Sequence, residues 1–385
     1  MSAEAALLQK RCTAALPPAL VRSIETFIVD IPLRRVHKLS RAVLTHQSYL
    51  IVRLTTADGI QGIGEATVPG GPWWSGESVE AMRALFLSHI APLLEGRDIF
   101  SANAIMAEID QVAYANAALK SAVETALLDA AARTLSIPMS GLFGGRIAEA
   151  LPVLWVLATG ELEADIAEAQ EKLASRLHRR FKIKVGRGDP GDDARRAAET
   201  ANAIGCPCSI DLNEAWSFAD TALAQAILEG SGVDILEQPL PRADLPGLAD
   251  LARRSSLAIM ADESACSASD MVAIIRERAA SYVSLKISKS GGPSRMLAIA
   301  RMAQAAGINL FGGTALDSSI GTAANLQCCS TLPLAGGTEL FMPLLLADDI
   351  LEEPLIYRDF CVEVPSGAGL GVTIDEAKLR HYERK

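Results

Sequence analysis

The chain has 385 residues, 50% of them hydrophobic, 21% charged and 5% aromatic. That excludes a disordered chain and exceeds one ordinary compact domain, so two packed units are expected. The 46 acidic residues against 36 basic ones leave a formal charge of -10, which disfavours nucleic acid and anionic membranes as partners but leaves small acidic substrates open. Apolar residues dominate Ile24 to Ile31 and Ser48 to Leu54, with Arg34, Arg35, His37 and Lys38 clustered between them; the pattern predicts two strands joined by a basic turn. A third strand fits Ile60 to Ala66. Val68 to Gly76, with Pro69, Gly70, Gly71, Pro72, Trp73 and Trp74, reads as a loop. Helical periodicity marks Ser78 to Leu94, Ile105 to Tyr114 and Ala118 to Leu135, and Pro138 with Gly144 and Gly145 ends the segment.

Beyond Leu151 short apolar runs alternate with helical stretches, the mark of parallel βα units. The runs are Pro152 to Ala158, Phe181 to Val185, Cys208 to Leu212, Val233 to Leu236, Ala258 to Ala261, Tyr282 to Ile287 and Ile308 to Phe311. The charged residues Lys184, Asp211, Glu237, Asp262 and Lys286 end successive runs at steps of 27, 26, 25 and 24 residues. With an eighth strand near Thr338 to Leu340, the pattern predicts an α/β fold: a modified TIM barrel, (β/α)7β, with an α+β N-terminal capping domain. The expected division is an N-terminal extension at 1–23, the cap at 24–148, the barrel at 149–349 and a segment at 350–385 returning to the cap.

No apolar run approaches the roughly 20 residues that span a bilayer, and Lys10 and Arg11 follow the first apolar run instead of leading it as a signal peptide would require. A cytoplasmic protein is expected. The seven cysteines, Cys12, Cys206, Cys208, Cys266, Cys328, Cys329 and Cys361, form neither a zinc quartet nor a disulfide framework and are expected to be reduced.

Catalytic groups of a parallel barrel gather at the C-terminal ends of its strands. One acidic residue there is ordinarily a helix cap. Three on adjacent strands, Asp211, Glu237 and Asp262, would place like charges in one mouth, which calls for a cation between them. An all-oxygen set without His or Cys selects a hard ion, Mg2+ or Mn2+. Lysines flank the row. Lys182 and Lys184 share one side of their strand, Lys286 lies beyond the row, and desolvation beside positive charge is expected to lower their pKa values and fit them for proton transfer. Lys120 and Lys172, by contrast, are expected at the surface. The combination suits proton transfer at the carbon alpha to a carboxylate, with the metal stabilising the enediolate.

Phe181 to Val185 (FKIKV), with Asp211, Glu237, Asp262 and Lys286, resembles the muconate lactonising subgroup of the enolase superfamily. The likeness continues at Ala261 to Ser264, Leu285 to Gly292 (LKISKSGG), Gly312 to Gly321 (GGTALDSSIG) and Gly337 to Leu346 (GTELFMPLLL). In the cap, Ile28 to Ser40 and Gly70 to Ser78 are similar to bacterial muconate cycloisomerases. The resemblance implies lactonisation of cis,cis-muconate, a small dicarboxylate, by a homo-oligomer, either an octamer or a dimer. It implies Lys184 as proton donor and, in reverse, base; Lys182 as its electrostatic helper; Lys286 on the opposite face; Asp211, Glu237 and Asp262 as metal ligands; Asn213 as a pocket amide; and Glu339 as an acid of the last strand.

Asp317, Met342 and Val156 depart from the residues more usual in that subgroup, Glu, Gly and Thr. Met342 beside Phe341 is expected to reshape the substrate pocket, and Trp73 and Trp74 to form a lid over it or to anchor the cap. N-acylamino acid racemases, dipeptide epimerases and o-succinylbenzoate synthases reuse the same lysines and metal, so the lysines alone do not separate these activities. A lysine aldolase using a Schiff base is a further alternative.

Overall fold

The computed structural model describes residues 18–385; Cys12 and the first 17 residues of the expected extension lie outside the described residues. Three antiparallel strands open the fold: β1 (Val21–Lys38), β2 (Val43–Thr56) and β3 (Gln61–Ala66). The two-residue period of β2 sorts its side chains between two cores. Leu50, Val52 and Leu54 join the helices of the cap, whereas Tyr49 and Ile51 join the core that continues into the barrel. The sheet is therefore a partition with an apolar face on each side. Gly62 and Gly64 let the helix Ala117–Thr134 lie directly on β3, since a Cβ on Gly64 would come 2.0 Å from Ala122 O.

The basic residues after Ile31 do not form the expected turn. β1 continues through them to Lys38, and the reversal comes at Leu39, whose N–H donates to Ala42 O at 2.9 Å. Partners inside explain it: Arg35 donates to Glu168 Oε1 at 2.6 Å and Val156 O at 2.8 Å, and His37 is fully buried. Lys120 also departs from expectation. The helix Ala117–Thr134 is enclosed on nearly all sides, and Lys120 is buried with its ammonium on Asp110 at 2.8 Å. Lys172 lies 4.6 Å from the Trp155 ring centroid with its side chain 16% exposed, because its stem covers that indole.

After the short strand β4 (Ala150–Pro152), eight parallel strands follow in chain order. They are β5 (Trp155–Leu157), β6 (Phe181–Lys184), β7 (Cys208–Asp211), β8 (Val233–Glu237), β9 (Ala258–Ala261), β10 (Tyr282–Leu285), β11 (Asn309–Gly312) and β12 (Leu334–Thr338). The ring closes through a parallel bridge from Val153 to Thr338 and a hydrogen bond from Leu154 N to Thr338 O at 2.8 Å. The eighth strand thus ends where it was expected to begin, and Glu339 emerges just past its C-terminal end. Helices between successive strands cover the outside, with local caps such as Asp189, Ser217 and Ser267 accepting from first-turn N–H groups.

The last segment touches both units. β13 (Tyr357–Arg358) and β14 (Cys361–Glu363) extend β4, whereas Arg384 pairs with Asp30 of β1 at 2.6 Å. The six described cysteines are all free. No helix among the described residues is long and apolar enough to cross a membrane.

Candidate active site

Strand register sets the chemistry. Lys184 pairs with Asp211, Asp211 with Glu237, and Glu237 with Met260, which puts Asp262 just past the end of the next strand. Lys184 and Lys286 end strands two places from β8 on opposite sides. Between cap and barrel lies a small cavity. His37, Leu39, Pro69, Trp73 and Trp74 wall it from the cap; Lys184, Asp211, Asn213, Lys286, Thr314, Leu316 and Glu339 wall it from the barrel.

Lysines and carboxylates interleave beneath this cavity. Lys184 contacts Asp211 and donates to Asn213 Oδ1 at 3.2 Å. Lys182, with no exposed surface, lies 2.7 Å from Glu339 Oε2 and 2.5 Å from Glu237 Oε2. Asp262 receives Lys286 on one oxygen and Lys289 on the other at 2.8 Å, and its carbonyl also accepts from Lys289 at 2.6 Å. The expectation of depressed lysine pKa values fails for two of them. Burial alone would lower Lys182 and Lys286, but Glu237, Glu339 and Asp211 around the first and Asp262, Glu237 and Glu339 around the second outweigh it and raise both. Burial likewise would raise Asp262, yet Lys286 and Lys289 hold it below the usual carboxylate range.

Glu237 is different. It is fully buried and, despite the nearby Lys182 ammonium, neither of its oxygens makes a well-directed hydrogen bond. Burial, reinforced by Asp211, Glu339 and Asp262, pushes its pKa up to about 8. Among the described residues no three acidic, His or Cys side chains converge into a ready ion cage, and each carboxylate of the row has a lysine ammonium beside it instead. The orphaned oxygens of Glu237, flanked on adjacent strands by Asp211 and Asp262, nevertheless fit a hard divalent cation in charge and donor type.

Asn213 adopts φ 43°, a conformation its short amide tolerates, and donates to Glu263 Oε1 at 3.0 Å. Trp74 Nε1 donates to the same oxygen at 3.2 Å; burial and the Asp262 and Asp211 charges push Glu263 up to about 7. Trp73 also lines the cavity. Phe341 and Met342, both fully buried, are not among the residues lining this cavity, and the Phe341 ring lies 6.2 Å from that of His37, which does line it. The chain turns tightly after Glu339, with Phe341 N donating to Glu339 O at 2.9 Å, and the Phe341 ring packs edge-on against Trp155 at 5.2 Å.

Lys289, Glu263, His37, Thr314 and Leu316 received no role from the sequence. Lys289 had a usable signal, its place three residues after Lys286, which one helical turn brings to the same side. Leu316 had none: it reaches the cavity at φ 63°, with its carbonyl accepting from Tyr49 Oη at 3.1 Å and Ser318 N, two residues on, donating to Glu65 Oε1 at 2.9 Å. Two cap strands thereby hold a barrel loop in a strained turn.

A parallel barrel with acidic residues ending three adjacent strands, lysines on either side and a separate cap over the mouth defines an enzyme built to handle a carbanion beside a carboxylate. The family models agree with that class: residues 23–144 match the mandelate racemase / muconate lactonizing enzyme N-terminal domain, and residues 164–378 match the enolase C-terminal domain-like family. The chain is 42% identical to muconate cycloisomerase 1 of Pseudomonas putida, over 95% of this chain and 99% of that protein. It is 39% identical to a chloromuconate cycloisomerase of Cupriavidus necator, over 94% and 99%. Among solved structures, muconate lactonizing enzyme from Pseudomonas fluorescens complexed with muconolactone superposes with a TM-score of 0.94 at 43% identity, covering 96% of this chain and all of that one. The 2-chloromuconate cycloisomerase of Rhodococcus opacus 1CP gives 0.93 at 38% identity, covering 95% and all. The chain belongs to the mandelate racemase / muconate lactonizing enzyme family of the enolase superfamily.

Proposed function

We propose that the protein is a divalent-metal-dependent cycloisomerase that interconverts cis,cis-muconate, or a substituted muconate, and muconolactone through an enolate. The observation that carries this is Lys184 in one cavity with Asp211, the first of three acidic residues at the ends of adjacent strands, in a chain similar over 94–95% of its length to muconate and chloromuconate cycloisomerases. One substrate carboxylate oxygen forms the C–O bond across the diene, the π electrons move to the carbon alpha to the other carboxylate, and Lys184 delivers a proton to that carbon. Mg2+ or Mn2+, held by Asp211, Glu237 and Asp262, would supply the positive charge that stabilises the enolate. Lys182 keeps charge beneath the row, Lys286 faces the substrate from the opposite side, Asn213 orients Lys184, and Glu339 holds Lys182.

The proposal takes residues 24–148 as the cap, 149–349 as the catalytic barrel and 350–385 as the segment joining them. The aldolase alternative would use Lys184 or Lys286 as a Schiff base and needs that lysine neutral, whereas Asp262, Glu237 and Glu339 favour the ammonium form of Lys286; borohydride trapping with a carbonyl substrate tests it. The test is a substrate panel with Mg2+ and with Mn2+, products identified by proton NMR. It compares cis,cis-muconate and its 3-methyl and 3-chloro derivatives with N-acylamino acids, dipeptides and the precursor of o-succinylbenzoate. Muconolactones from the first group and no turnover of the second are expected; racemisation or epimerisation as the main activity would overturn the proposal.

A further inference from the structure

His37 is fully buried, its ring lines the active-site cavity, and its Nε2 has no partner. The other ring nitrogen identifies what Nε2 carries. Arg35 Nη1 lies 3.3 Å from His37 Nδ1, and a guanidinium can only donate, so Nδ1 accepts and the neutral ring bears its hydrogen on Nε2. Burial first, then the Arg35 and Lys184 charges, hold the ring well below the usual histidine range and keep it neutral. Arg35 is itself fixed by Glu168 and Val156 O.

A second buried histidine shows why this matters. The Nδ1 of His178 faces Val153 O at 3.1 Å; a carbonyl only accepts, so Nδ1 donates and the unpartnered Nε2 of His178 is merely a lone pair. A buried N–H without an acceptor is the costlier and rarer case, and here it belongs to a residue that lines the cavity. Trp73 also lines this wall, but its unpartnered Nε1 lies against Gly70, 3.2 Å from where a Cβ there would stand, and Trp74 Nε1 is occupied by Glu263. The cap wall thus offers a neutral donor residue, His37, facing a barrel wall that carries the lysines.

We propose that His37 Nε2–H binds the substrate carboxylate on the cap side of the cavity, with Arg35 as the positioning residue that fixes the donor tautomer. This rests on the reading of the substrate as a dicarboxylate. His37→Phe keeps the ring's bulk and removes the donor, and His37→Gln returns an N–H close to the Nε2 position. Loss of one hydrogen bond to a charged group should raise the KM for cis,cis-muconate roughly 10- to 100-fold in His37→Phe, with kcat within about threefold and most of the affinity regained in His37→Gln. Calorimetric titration with adipate, an unreactive six-carbon dicarboxylate, should show the same order without depending on turnover. Nitrogen NMR of the wild-type protein should report the Nε2–H tautomer. Unchanged KM and adipate affinity in His37→Phe, an Nδ1–H tautomer, or a failure of Gln to rescue would overturn the assignment. Wild-type protein inert towards muconates would instead refute the proposed reaction, while the adipate and tautomer measurements still decide the donor.

Discussion

Lys289→Met removes one ammonium from the floor of the site while keeping most of the apolar stem. In the wild-type protein this group, 1% exposed, gives Asp262 a bond to Oδ1 at 2.8 Å and another to the carbonyl at 2.6 Å. Breaking a buried ion pair outright costs 3–5 kcal/mol on average, but Lys286 remains on Oδ2 and the variant no longer buries a second ammonium. A net loss of about 2–4 kcal/mol is therefore expected. Lys120→Met is the internal comparison, because Asp110 is 38% exposed and screened by water; it should cost at most about 1 kcal/mol. Urea unfolding of the three proteins at matched ionic strength gives the difference from midpoints, provided the slopes agree. An Asp262 carboxylate freed on one side should also lower kcat/KM by on the order of 100-fold, as misplacement by about 1 Å does. If Lys289→Met unfolds within about 0.5 kcal/mol of wild type, or no earlier than Lys120→Met, the ion pair with Asp262 is not what steadies that carboxylate.

Replacing Asp211, Glu237 or Asp262 singly by Ala should abolish turnover and weaken binding of Mn2+ in calorimetry; a variant with wild-type metal affinity would remove that residue from the ligand set. Tyr49→Phe strips the donor from the buried Leu316 carbonyl and should destabilise the protein by about 1–3 kcal/mol; a loss below about 0.5 kcal/mol in thermal unfolding would mean that this bond does not hold the strained turn. Burial pushes His178 down to about 4 from 6.5, so the unfolded chain takes up its proton first as pH falls. That contribution is complete above pH 6.5 and is lost between there and pH 4, at roughly 1.4 kcal/mol per unit. His178→Gln should flatten this stretch of the stability profile, and a profile of unchanged slope would contradict the assignment.

The barrel was legible because its repeat is covalent arithmetic: a short apolar strand, a charged residue at its end and one helix recur at nearly constant spacing. Asp211, Glu237, Asp262, Lys184 and Lys286 could all be found that way, and the register places each at a strand end. The cap side was harder. Arg35 and His37 look like turn residues until Glu168 and Val156, more than a hundred positions away, provide partners that hold them in β1. Leu316 reaches the cavity through a left-handed turn imposed by Tyr49 and Glu65, and no local pattern encodes contacts that distant. Phe341 and Met342 are singled out by the resemblance, Met342 standing where the subgroup commonly has Gly; the tight turn after Glu339 buries both, which no local pattern gives.

Delivery of a proton from Lys184 to carbon is the centre of the proposed chemistry, and solvent deuterium labels it directly. Wild-type protein with Mn2+ and cis,cis-muconate in D2O should give muconolactone carrying a single deuterium on one face of the carbon alpha to the free carboxylate. Lys184→Ala should form no product at a rate within several orders of magnitude of wild type while still binding Mn2+. Deuterium distributed over both faces, or Lys184→Ala retaining a tenth of wild-type turnover, would show that the proton comes from elsewhere.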